Sequence, residues 1–361
     1  MKMKSKIHIN KSISNLSNTA LAKDKTFVII DNNLQHIASF FEDFHCIFLD
    51  MNERNKSLAQ VEEISARLLD LGADRDAMLI GVGGGITTDV TGFTAAIYKR
   101  GIKCAFVPTT LLSQVDASIG GKNGVNFLAY KNILGTITQP EWIFICPELL
   151  STLPQDEFKA GIAEVLKTFI LFDKEYYRKS VEFFSAVAQE YGLSGKGDTT
   201  YGKIATSANM DLLCDIIGKC AQYKCGVVER DEFEKGERRL LNLGHTFAHS
   251  IEKLTQGEIS HGYAVAIGMA IASRVAVAMG VAQEGFATML ACDLKNTGLP
   301  ASLEECNATA HLSIPDLVGA IKKDKKVVGN SIHFILPKGL EDVEDIVVPL
   351  ETLKDICNDL R

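Results

Sequence analysis

No C-x-x-C pair occurs among the nine cysteines, and no proline interrupts the chain between positions 155 and 299. The first absence excludes a dithiol redox motif. Cys214, Cys220 and Cys225 lie closest together, and their spacing does not fit a zinc knuckle. Nine is also an odd number, so the cysteines read as reduced thiols in a reducing compartment. The second absence leaves a long stretch free to form uninterrupted helices. An excess of positive charge is missing as well. Lys and Arg number 38 against 45 Asp and Glu, giving −7, which argues against nucleic acid as a general partner. Local basic pockets for a small anion stay compatible with that balance. The basic segment 1–10 lacks an apolar core and is not a secretion signal. One apolar run, 263–282, is long enough to question. Arg274 interrupts it, and its Gly and Ala content suits a helix buried among helices better than one facing lipid. The expectation is a cytoplasmic protein with no membrane partner.

What is present is a chain of 361 residues, 46% hydrophobic and 23% charged, which excludes disorder, collagen and coiled coil. At roughly 150 residues per domain it implies about two domains. Before Pro154, short β-branched runs at 26–31, 46–50, 77–81, 104–108 and 142–146 alternate with helical segments such as 58–71 and 88–99. Strand and helix alternating at this spacing predict an α/β fold, a parallel sheet with helices on both faces. From Pro154 onward the pattern is helical, with Asp156 and Glu157 near the positive end of a helix dipole. The segments 331–336 and 343–348 predict a small β pair, and 194–202 reads as a loop. The expected division is residues 1–153 as an α/β domain and 154–361 as a mostly α-helical one.

Three groups of residues point to chemistry. Gly81-Val82-Gly83-Gly84-Gly85 follows an apolar run and opens a helix, which suits a phosphate at a helix N-terminus, with a tight turn without ligand as the alternative. The spacing fails G-x-G-x-x-G because Ile86 stands in the sixth place. Glu164 and Lys167 are three apart, and His245 and His249 four apart, so each pair shares one helix face; His261 follows shortly. One carboxylate with two or three imidazoles suits zinc with an open position, although a lone histidine beside an apolar helix is usually a core residue. In Val115-Asp116-Ala117-Ser118-Ile119-Gly120-Gly121-Lys122, and on to Lys131-Asn132, lysines sit among glycine and apolar residues. They read either as charges placed for an anion or as ordinary loop lysines.

In this order the motifs PTTLLSQVDASIGGKNGVN, GIAEVLK and NLGHTFAHSIE…HG resemble the 3-dehydroquinate synthase family, over about residues 31–336. The resemblance implies a Rossmann-like N-terminal domain that binds NAD, a helical domain that binds metal and substrate, and a homodimer. It implies Glu164, His245 and His261 as ligands of Zn2+, with Co2+ as a substitute. It assigns the substrate to Asp116, Lys122, Asn132, Lys167, Lys224, Arg238, Asn242 and His249. Arg100 matches an arginine that reaches the partner subunit's site, and Lys326 is the expected C-terminal phosphate-binding lysine. For NAD it implies Asp31, Asn33, Glu53, Lys56, Gly84, Gly85, Asp89, Thr109, Thr110, Lys131, Thr152 and Glu157. Met51-Asn52, Thr88 and the 194–202 segment depart from the family pattern.

The implied reaction takes a phosphorylated seven-carbon acid, 3-deoxy-D-arabino-heptulosonate 7-phosphate, to 3-dehydroquinate and phosphate. It runs through oxidation at C5, β-elimination of phosphate, return of the hydride and an intramolecular aldol closure. Other readings are a sugar-phosphate cyclase whose substrate lacks the carboxylate, a metal-dependent polyol dehydrogenase, and a non-catalytic metal-binding protein. Lys224 and Arg238 argue against the first, the VDASIGGK and NLGHTFAH motifs against the second. No ligand or lysine has been lost, which argues against the third.

Overall fold

The computed structural model describes residues 5–18, 21–128, 130–191, 209–321, 327–328 and 331–359. Its strands are β1 (Lys6–Ile9), β2 (Thr26–Asp31), β3 (His45–Leu49), β4 (Met78–Gly83), β5 (Lys103–Pro108), β6 (Lys122–Phe127), β7 (Tyr130–Ile137), β8 (Trp142–Ile145), β9 (Val327–Val328), β10 (Ser331–Gly339) and β11 (Asp342–Pro349). Contacts divide the chain into two units, Met1–Leu153 with Tyr201–Glu229, and Pro154–Thr200 with Arg230–Arg361. The helix Met210–Arg230 therefore clusters almost wholly with the first unit, whereas a single cut at 153 assigns it to the second.

The first unit is built on a six-stranded sheet in the order β1-β8-β5-β4-β2-β3, every pair parallel. Its inner strands are apolar at both parities, because a parallel sheet is covered on both faces. Val28, Ile30, Ile80, Val82, Ala105, Val107, Phe144 and Cys146 pack on one face against Ile13, Leu16, Ile37 and Phe41. Phe27, Ile29, Leu79, Cys104, Phe106 and Ile143 point the other way and are equally buried. Chain order reverses between β2 and β4, the switch point where open α/β sheets bind ligands beyond their strand ends. Asp31 ends β2 there, and the helix Gly85–Ile97 starts there, directly after β4. The segment carrying Lys122, Lys131 and Asn132 is an antiparallel hairpin, β6–β7, rather than a loop.

The second unit holds the helices Gln155–Phe172, Lys174–Tyr191, His245–Leu254, His261–Ala278, Glu284–Asn296, Ile314–Ile321 and Leu350–Asp359, with β9–β11 as a small antiparallel sheet. The expected 331–336 and 343–348 pair is the β10–β11 hairpin. The apolar helix His261–Ala278 spends its side chains inside this unit, with residues from Ala264 to Ala272 all buried. Glycines let its neighbours approach. A Cβ on Gly262 would lie 1.9 Å from the Ala160 carbonyl oxygen, so the helix starting at His261 lies directly against Gln155–Phe172. Gly244, at φ +80, turns the chain into the helix His245–Leu254 where any side chain would strike Val265 and Met269.

Candidate active site

Three helices brought together in this way carry Glu164, His245 and His261, whose ligating atoms all lie within 4.8 Å of one another. Glu164 is fully buried, and neither carboxylate oxygen is matched by a hydrogen bond of ordinary geometry. The two oxygens face different partners. Oε2 is in contact with the Lys167 ammonium, itself buried one turn further along the same helix. Oε1 stands 3.5 Å from Nε2 of His261 and 3.9 Å from Nε2 of His245. Tetrahedral bonds of about 2.1 Å hold donor atoms roughly 3.4 Å apart, so this set needs only small adjustments to close on an ion. Each ring also has a partner at Nδ1, and both Nε2 atoms are turned toward Glu164. His245 Nδ1 meets the Leu243 carbonyl at 3.2 Å, and His261 Nδ1 meets Glu252 Oε1 at 3.5 Å. The donor set fits a divalent metal. Burial alone would raise the Glu164 carboxyl, but Lys167 and then His261 hold it down at about 2. Burial likewise opposes charge on His261, yet Glu164 and Glu252 lift it to about 10.

His249 stands one turn beyond His245 with the ring centroids 5.6 Å apart. Arg238 is buried, and its Nη1 donates to the Glu232 carbonyl at 2.5 Å. Asn242 donates to the Glu234 carboxylate and, at 3.1 Å, to the Arg239 carbonyl. The turn between them is tied by Asp231, which accepts from the backbone N–H of Lys235, Gly236 and Arg238 at 2.9, 2.7 and 3.1 Å.

In the first unit Asp31, Gly84 and Gly85 stand at the switch point, at the ends of β2 and β4. Asp31 accepts from the backbone and side-chain N–H groups of Asn33. Gly84 caps the helix Gly85–Ile97, so no side chain competes for its first N–H groups, which is the arrangement that accepts a phosphate. Lys56, buried, pairs with Asp89 at 2.5 Å. Burial raises the Asp89 carboxyl, and Lys56, then Lys224, recover only part of that shift. Lys224, also buried, reaches the Asp116 carboxylate at 2.7 Å and its carbonyl at 2.6 Å. Thr109 N–H donates to the Gly83 carbonyl, and Thr110 is bonded with Ser113. Lys122 and Lys131 are exposed on the hairpin, and Asn132 is held at φ +51 with its N–H on Asn126 Oδ1. Thr152 lies 3.4 Å from a His36 ring nitrogen; Glu157 is on the first turn of Gln155–Phe172. Arg100 follows Lys99, both in left-handed backbone, and Tyr98 and Lys99 each donate to the Ala73 carbonyl. Lys326 and the 194–202 segment lie outside the described residues.

Sequence reasoning missed Asn126, Glu234 and Glu252. Asn126 bridges Glu53 Oε1 at 2.8 Å to the Asn132 N–H at 2.9 Å. Glu234 would have been visible as the carboxylate eight residues before Asn242. Glu252 lies seven residues after His245, on the helix face that the two histidines already define.

A nucleotide-type parallel sheet with an open helix N-terminus, together with two imidazoles around a buried carboxylate, defines the class: an enzyme with a metal centre on a dinucleotide-type fold. Family models for the N-terminal and C-terminal parts of 3-dehydroquinate synthase match residues 46–160 and 161–327. A 3-dehydroquinate synthase from Shewanella piezotolerans is 36% identical over 334 residues, covering 88% of this chain and 85% of the relative. One from a Sulfurovum species is 39% identical over 306 residues, covering 82% and 79%. The chain belongs to the 3-dehydroquinate synthase family. The fold is shared with 2-epi-5-epi-valiolone synthase of Streptomyces hygroscopicus subsp. jinggangensis, solved with NAD+ and Zn2+ bound. That match has a TM-score of 0.81 and 24% identity, over 100% of this chain and 97% of the other.

Proposed function

We propose that this chain is a 3-dehydroquinate synthase: it converts 3-deoxy-D-arabino-heptulosonate 7-phosphate to 3-dehydroquinate and phosphate, with NAD recycled and a divalent metal, Zn2+ or Co2+, bound. The observation that carries the reading is the cluster of buried Glu164 and Lys167 with half-buried His245 and His261 in a chain that matches both halves of the family. When bound, NAD supplies a reversible hydride acceptor and the metal supplies Lewis acidity at an oxygen. The chain supplies placement and charge. Glu164 and the two Nε2 atoms hold the metal, with Lys167 keeping the second Glu164 oxygen occupied. Gly84, Gly85, Asp89 and the uncapped helix N-terminus take the cofactor pyrophosphate, and Lys56, paired with Asp89, belongs to the same cofactor site. Lys122, Asn132 and His249 bind the substrate phosphate, while Lys224 and Arg238 bind its carboxylate, Arg238 through a planar fork suited to two oxygens. Asp116 orients Lys224, and Asn242 carries a substrate hydroxyl.

On this reading residues 1–153 form the NAD-binding part and the metal belongs to the helical part. The protein is a cytoplasmic homodimer in which Arg100 serves the partner's site. All nine cysteines are free thiols, and burial pushes Cys104, Cys146 and Cys357 up to about 12, in keeping with a reducing compartment. Purified protein given the heptulosonate phosphate, NAD and zinc should release inorganic phosphate. A chelator should stop release, and zinc or cobalt should restore it. His261→Ala should lose the metal and keep its fold. No phosphate release with all components present would overturn the reading.

A further inference from the structure

Glu252 occupies the last turn of the helix His245–Leu254, where a negative charge meets the negative end of the helix dipole. It is also buried, and a carboxylate taken out of water costs free energy unless something repays it. Local structure therefore disfavours this residue twice, and a leucine would serve packing better. What it touches explains its presence: Oε1 stands 3.5 Å from Nδ1 of His261, whose Nε2 faces Glu164. His245 has a neutral support instead, the Leu243 carbonyl.

We propose that Glu252 is a positioning residue for the metal centre. It accepts the Nδ1–H of His261, which fixes the tautomer, aims Nε2 at the ion and makes the imidazole a stronger donor. It also adds a second negative charge beside Glu164, so the pair balances a dication. The proposal rests on Glu164, His245 and His261 being the metal ligands.

Zinc affinity of the full chain, measured by competition with a chromophoric chelator, tests it, with melting of the metal-stripped proteins alongside. Glu252→Ala is expected to weaken zinc roughly 10–100-fold. Glu252→Gln, whose amide oxygen still accepts from Nδ1–H, should recover part of that loss. The exposed Glu258→Gln, which changes the same charge on the same segment, should bind as the wild type does. Stripped Glu252→Gln should still unfold cooperatively, at a somewhat lower temperature than the stripped wild type, because the metal-free pair with His261 has lost its carboxylate. Zinc affinity within twofold of wild type in Glu252→Gln and Glu252→Ala overturns the proposal. So does an equal affinity loss in Glu252→Gln and Glu252→Ala, which would remove the role as acceptor of the Nδ1–H. If the alanine variant does not fold, the glutamine variant decides alone. A wild-type chain that binds no zinc would overturn the ligand assignment, a result distinct from variants that bind normally.

Discussion

Replacing Gly262 by alanine should damage stability and the metal site together. The new Cβ would lie 1.9 Å from the Ala160 carbonyl oxygen and 2.5 Å from its carbonyl carbon. Carbon and oxygen need about 3.3 Å, so roughly 1.4 Å must open between the helices Gln155–Phe172 and His261–Ala278. Both obstructing atoms are backbone, and no rotamer change relieves them. Overpacking typically costs 1–3 kcal/mol, and a backbone clash belongs at the upper end, about 3 kcal/mol. For a unit of 150–250 residues that is a fall in Tm of roughly 6–12 °C. Glu164 is one turn beyond Ala160, and His261 precedes Gly262, so the same opening widens the 3.5 Å gap between them. Donor sets fail when displaced by more than about 0.5 Å, so zinc affinity should fall as well. The assay is a thermal melt with a zinc competition titration. Gly319→Ala is the control. That glycine is exposed in the helix Ile314–Ile321 with nothing within 4 Å, and alanine there should stabilise by about 0.5–1 kcal/mol. A Gly262→Ala protein that melts with the wild type and binds zinc equally well would refute the reasoning.

The Asp231 carboxyl is held below its usual range, first by the Lys235 N–H and then by those of Gly236 and Arg238. A depressed carboxyl contributes stability above its unfolded pKa of about 3.9 and loses it as pH falls through the folded value. The melting difference between wild type and Asp231→Ala should therefore shrink on acidification below about pH 4; a constant difference would contradict the assignment. Arg238→Leu should lower kcat/KM for the heptulosonate phosphate by about 10²-fold or more while NAD affinity stays unchanged, and sedoheptulose 7-phosphate, lacking the carboxylate, should be a very poor substrate. Comparable kcat/KM for the two sugars in the wild type would remove the carboxylate role from Arg238 and Lys224.

Elements whose burial matches their local pattern are legible in the chain. The run 26–31 coincides with β2, and 104–108 lies within β5, because inner strands of a parallel sheet are apolar at both parities. The β6–β7 hairpin is not legible. Most of β7 is exposed, and its β-branched Ile133, Thr136 and Ile137 are interrupted by Gly135, which faces Gly124 across the ladder, so no continuous strand pattern marks it. Helix Met210–Arg230 is legible as a helix but not as a member of the first unit. That placement depends on contacts such as Gly218 against Ile9, which no spacing encodes. Glu164, His245 and His261 stand out because histidine is scarce and the spacing is helical. Glu252 does not, since its partner is on the next helix and a glutamate at a helix end reads as solvated.

The hydride balance tests the central claim most directly. Purified protein with zinc, trace NAD and excess heptulosonate phosphate should release many equivalents of phosphate per NAD while absorbance at the NADH wavelength stays flat. Growth of one NADH for each product molecule, or phosphate release that stops after one equivalent of NAD, would contradict the account.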